Sequence, residues 1–123
     1  MKLVIDRSAL LKSLGHVQSV VERRGTIPIL SNVKLEAAGD MLYLTATDMD
    51  IAVVEKAPAS VNTPGQATVP AHTFYDIVRK LPEGSQVEIT RQSDTAKVII
   101  RAGSSRFSLS TLPVEEFPQM TEG

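Results

Sequence analysis

The sequence predicts an α+β fold in which a βαβββ unit occurs twice and the two helices pack side by side on one face of antiparallel sheet. Three observations point there. Apolar residues recur at helical spacing over 7–21 and again over 71–81. Short alternating segments bounded by turn residues fill most of the remainder. Both kinds of segment follow the same order in each half: strand, helix, then three strands. The first unit therefore spans about 1–58 and the second about 65–112, with 113–123 as the start of a linker in a single domain.

The opening "MKLVID" alternates as a strand. Asp6 stands where a helix needs an N-cap, since its carboxylate can accept the free amides of a first turn and complement the helix dipole. Leu10, Leu14, Val17 and Val21 then fall at i, i+4, i+7 and i+11, and Leu11 and Val20 widen the stripe, so a helix runs from Arg7 to about Val21. Gly15 weakens it slightly. Gly25 and Pro28 in "ERRGTIP" end it. "ILSNVKLEA" carries Val33 and Leu35 on one face, turns at Gly39-Asp40, and returns as "MLYLTAT" with Leu42 and Leu44 on one side. "DMD" reverses the chain again before "IAVVEKA". Two tight turns among three adjacent strands predict an antiparallel meander.

The second half repeats this order. "GQATVP" is a short strand, and "AHTFYDIVRKL" is a helix with Phe74, Ile77, Val78 and Leu81 inward, stopped by Pro82 and Gly84. "QVEIT", "AKVIIRA" and "RFSLSTL" complete about eight strands. Side-chain identity between the halves is weak, so the repeat rests on element order. The last strand has no later strand to pair with, which leaves one of its edges open. "PVEEFPQM" after it reads as an extended, acidic linker.

Composition narrows the function classes. With 42% hydrophobic and 22% charged residues the 123-residue chain is ordinary for a globular domain with a real core. It has no cysteine, so disulfides and thiol chemistry are excluded, which suits a reducing cytoplasm. "MKLVIDRSALL" has no long apolar stretch or small-residue cleavage site, so no secretory leader is expected, and no membrane association either. Lys and Arg total 13 against 14 Asp and Glu, for a net charge of −1. A chain so balanced does not coat nucleic acid through its overall field; a basic role has to come from local placement.

Catalytic signals are sparse. His16 and His72 lie outside any zinc-binding pattern, and His16 reads as a solvated residue on the helix flank near Lys12. "GSSRF" is not a nucleophile elbow. Asp48 and Asp50 in "TDMD" would share a face of a strand and could hold a cation, although a hairpin turn also favours Asp. No cofactor is expected. The basic residues are better organised: Arg7, Lys12, Arg23 and Arg24 lie on or just after the first helix, and Arg79 and Lys80 close the second, with His72 at its start. Cations near helix C-termini complement the dipole, and the same cations on two adjacent helices could face a polyanion.

The blocks "RRGTIPILSNVKLEA", "LYLTATDMDIAV", "TVPAHTFYDIVRKLPEG" and "SRFSLSTLPVEEFP", in this order and over essentially the whole chain, resemble the N-terminal domain of the bacterial DNA polymerase III beta subunits, the sliding-clamp family. The resemblance implies the DNA clamp fold and a processivity role without catalysis. In that family three similar domains per chain, and two chains head to tail, form a ring around duplex DNA. Helices line the hole, and the ring tethers the replicative polymerase after a clamp loader places it. The resemblance implies DNA contacts at Arg24 and at His72, where a relative carries arginine. Arg7, Lys12, Arg79 and Lys80 are then candidates to line the hole. It also implies a dimer seam along the last strand through Arg106, Phe107 and Leu109. Phe107→Ala or Leu109→Asp is expected to open that seam while leaving the domain folded. A chain ending at Gly123 is expected to be one excised domain or a fragment, without the family's pocket for partner peptides. Two other readings stand beside this one: a strand-edge interaction domain with no direct DNA role, and a small metalloenzyme built on Asp48 and Asp50.

Overall fold

Strand alternation and one well-placed carboxylate build the first two elements. In β1 (Lys2–Asp6) Leu3 and Ile5 are buried while Lys2 is exposed. Asp6 Oδ2 accepts hydrogen bonds from the amides of Ser8 (3.1 Å) and Ala9 (3.3 Å), and α1 (Arg7–Gln18) begins there. The computed structural model describes residues 1–21, 28–47, 52–91 and 96–117. The "DMD" turn, Arg23, Arg24, Asp48 and Asp50 lie outside these residues. Leu10, Leu14 and Val17 are wholly buried on α1. The helix ends three residues before the expected Val21. The amides of Val20 and Val21 bond instead to the carbonyls of Val17 (3.2 Å) and Gln18 (3.1 Å), the tighter i→i+3 closure common at helix ends, which still buries Val21.

A 3₁₀ turn at Pro28–Ser31 leads into the meander β2 (Asn32–Ala38), β3 (Met41–Thr47) and β4 (Ala52–Pro58). Its register sets Leu35 against Leu44 and Ala37 against Leu42, and Gly39 supplies the positive φ of +59° that the first hairpin needs. The second half forms β6 (Gly65–Pro70), α2 (Ala71–Lys80), β7 (Gln86–Arg91), β8 (Lys97–Ala102) and β9 (Ser105–Ser110). Between the halves lies β5 (Ser60–Thr63), which the sequence does not announce because "SVNT" is short and holds one apolar residue.

The strands make two antiparallel sheets, β5-β1-β7-β8-β9 and β4-β3-β2-β6. The first strand of each repeat completes the sheet of the other. β1 lies beside β7, with Leu3 opposite Ile89 and Ile5 opposite Val87, and β6 lies beside β2, with Val33 opposite Val69. Periodicity assigns a strand its buried face but not its neighbour, so this exchange is invisible in the pattern. The expected extended linker is also corrected. Val114–Glu116 form a 3₁₀ turn and Phe117 is buried. The fully buried Thr68 hydroxyl anchors the segment: it donates to the Leu112 carbonyl (2.7 Å) and accepts from the Leu112 amide (3.1 Å) and Asn32 Nδ2 (3.2 Å). Among the described residues no helix is long and apolar enough to cross a membrane.

Candidate nucleic-acid interface

The two helices run antiparallel in contact, and polar side chains fasten both ends of the pair. At one end Arg7, the first residue of α1, donates from Nε to the Val78 carbonyl (3.3 Å) and from Nη2 to the Arg79 carbonyl (2.9 Å). These are carbonyls of the last turn of α2, where i→i+4 partners run out; that of Val78 also accepts from the amide of the capping residue Leu81 (3.1 Å). At the other end His72, in the first turn of α2, places Nε2 2.9 Å from the Val21 carbonyl and Nδ1 2.9 Å from Gln18 Oε1, at the end of α1. A carbonyl only accepts, so Nε2 carries a proton. In the middle, the Tyr75 ring lies against α1 at Gly15, where a Cβ would meet Tyr75 Cε1 at 3.5 Å.

This arrangement sorts the expected cations. Arg7 and His72 are half-buried and engaged in holding the helices together. Lys12 and Lys80 are exposed and have no ion pair or side-chain hydrogen bond among the described residues. Arg79 is also exposed; its guanidinium lies 5.7 Å from the Tyr75 ring centre and 3.4 Å from Asp76 Oδ1. Stacking and a short ion pair pre-orient that charge without burying it. Arg24 falls outside the described residues. Sequence reasoning found the cations but missed Gln18, Tyr75 and the Val21 carbonyl, because nothing local links residues more than fifty positions apart. His16, expected to be merely solvated, pairs with Glu55 on β4 through Nδ1 at 2.8 Å while remaining exposed. Among the described residues no three His, Asp or Glu side chains stand close enough to hold a metal ion.

The strand-edge residues lie on opposite faces of β9. This strand ends the five-stranded sheet, and its outer edge has no partner among the described residues. Leu109 is 6% exposed and belongs to the domain's own core; Phe107 is half-buried against that core at the margin. Arg106 points to the other face with Ser108 and Ser110, all exposed. The expectation that Leu109→Asp spares the fold is therefore corrected: an unpaired carboxylate at this position would enter the core.

A family model described as "DNA polymerase III beta subunit, N-terminal domain" matches residues 1–121. The beta sliding clamp of Caulobacter vibrioides is 55% identical over 121 residues, covering 98% of this chain and 32% of the relative. Among solved structures, the DNA polymerase sliding clamp from Caulobacter crescentus superposes with a TM-score of 0.96 at 55% identity, covering 99% of this chain and 33% of that one. The DNA polymerase III subunit beta from Pseudomonas aeruginosa does so with a TM-score of 0.94 at 43% identity, covering 100% and 33%. The chain thus spans about a third of the length of the relatives it matches.

Proposed function

This chain belongs to the DNA polymerase III beta subunit family, as that family's N-terminal domain, and from that premise we propose that it forms one arc of a ring-shaped sliding clamp that encircles duplex DNA and tethers the replicative polymerase. The role is non-catalytic, cytoplasmic and free of cofactors. One observation carries it: an antiparallel helix pair whose exposed surface offers Lys12, Arg79 and Lys80. Flexible cations of this kind meet phosphates without reading base edges. A ring holds DNA by topology, so a few such contacts suffice, and tighter binding would oppose sliding. The same reading gives Arg24 a phosphate contact. His72 acts by positioning the helix ends, because both its ring nitrogens already have partners.

The open edge of β9 is the proposed seam to a second chain, arranged head to tail. Its unpaired backbone groups offer ladder bonds, Phe107 offers apolar contact, and Arg106 offers a charge to an acidic residue across the boundary. Leu109 supports the seam from within the core. Polymerase and clamp loader engage the full-length ring.

A salt titration of the full-length protein on duplexes of unrelated sequence tests the DNA reading. Weak binding, equal across sequences, is expected. The slope of log K against log salt should become shallower by about 0.9 for each phosphate contact removed through Lys12→Ala, Lys80→Ala or Arg24→Ala. Base-specific binding, or binding indifferent to salt, would overturn it. If these variants leave DNA contact unchanged while Phe107→Ala opens the ring, the domain is a strand-edge assembly module with no direct DNA role.

A further inference from the structure

The segment that leaves the last strand is bolted to the outside of the four-stranded sheet. On β2 and β6 the residues Val33, Leu35, Ala67 and Val69 are buried toward the core, so Asn32 and Thr68 fall on the opposite, outer face. Both are polar, and both are nonetheless buried. The chain after β9 crosses this face: Leu112 is bonded to Thr68, and the 3₁₀ turn Val114–Glu116 lies against β6.

The segment is held along its whole described length. The Thr111 amide donates to the Ala96 carbonyl (3.0 Å). The Thr68 hydroxyl meets both backbone groups of Leu112, and with the bond from Asn32 Nδ2 its one donor and both acceptor positions are in use. Pro113 fixes the next φ at −57°. Phe117, five residues beyond Leu112, is buried. Apolar contact is non-directional and lets a segment swivel. A hydroxyl that binds the carbonyl and the amide of one residue admits a single direction. A valine would fill the same space at position 68, so what the hydroxyl adds is direction.

We infer that Thr68 is a positioning residue for ring closure: it fixes the direction in which the chain leaves this domain, and so sets the angle at which the next part of the ring is held. The inference rests on the reading of this chain as one arc of a clamp, whose relatives are about three times as long. A rigid exit keeps the edges that form the seam near their joined orientation. A swivelling exit spreads them over many orientations, so a seam that has opened re-forms less often.

The test compares Thr68→Val, Thr68→Ser and Val87→Ala in the full-length protein, below the unfolding temperature of each. Val87→Ala removes buried volume from β7 and leaves the Thr68 bonds in place, so it controls for lost stability alone. One readout is the initial rate of cleavage after Glu115 and Glu116 by a glutamate-specific protease, followed by mass spectrometry. The other is the half-life of the protein on an uncut circular duplex, measured by gel filtration. Thr68→Val should raise the cleavage rate at least fivefold and shorten the half-life at least threefold. Thr68→Ser, which keeps the hydroxyl, and Val87→Ala should stay within twofold of the wild type in both. An unchanged cleavage rate or half-life for Thr68→Val would overturn the inference, as would an equal shortening by Val87→Ala. Wild-type protein that leaves the uncut circle at once would overturn the clamp reading itself; a retained wild type with Thr68→Val equally retained overturns this inference alone.

Discussion

Arg7 has its partners outside any local pattern: its guanidinium serves two carbonyls more than seventy residues along the chain. That geometry makes it a brace between the helices. Arg7→Ala should lower stability in urea unfolding by about 1–2 kcal/mol, because two acceptors in the last turn of α2 lose a charged donor. Thr68 is a sharper case, since its wholly buried hydroxyl joins Asn32 and both backbone groups of Leu112. Thr68→Val keeps the shape and orphans those groups, and should cost about 1–3 kcal/mol in the same measurement. Gly15 runs the other way. A Cβ there would meet Tyr75 Cε1 at 3.5 Å, an ordinary contact, so Gly15→Ala should stabilise the domain by about 0.4–1 kcal/mol through helix propensity and reduced chain entropy. A loss of stability on that change would mean the helices cannot accept a methyl group between them.

At the level of elements, both helices and eight of the nine described strands lie where periodicity and turn residues put them, because those signals are local. Asp6 as N-cap and the turn at Gly39 could be read from side-chain chemistry alone. The end of α1, strand β5 and the turn after Pro113 could not, since each depends on bonds to distant backbone or on edge pairing. β9 shows what alternation leaves open. It gives Phe107 and Leu109 one face and Arg106 the other, but the depth of each residue is set by what packs over it. Leu109→Asp should abolish cooperative unfolding, by placing an unpaired charge in the core. Phe107→Ala, at the margin, should keep the fold and lower the dimer fraction of the full-length protein in sedimentation. A folded Leu109→Asp variant would show that this side chain is not part of the core.

For the whole molecule, the exchange of first strands is the organising fact. Each βαβββ repeat lacks one strand of its own sheet and supplies that strand to the other, so neither half has a complete sheet alone. Residues 1–58 expressed separately should show no cooperative transition, whereas the whole domain should unfold in one. The same exchange joins the two halves and leaves the helix pair in contact on one side, the surface that a duplex meets on the proposed reading. Candidate site residues were legible in part. The exposed cations Lys12, Arg79 and Lys80 came from helix periodicity, whereas the roles of Arg7 and His72 depend on which helix ends meet. In the proposed role this surface holds DNA by enclosure. Loading the full-length protein onto a nicked circular duplex, cutting the circle once, and measuring retention by gel filtration at moderate salt tests that enclosure. Retention on the circle and release after the cut are predicted; retention on the linear duplex would contradict the claim.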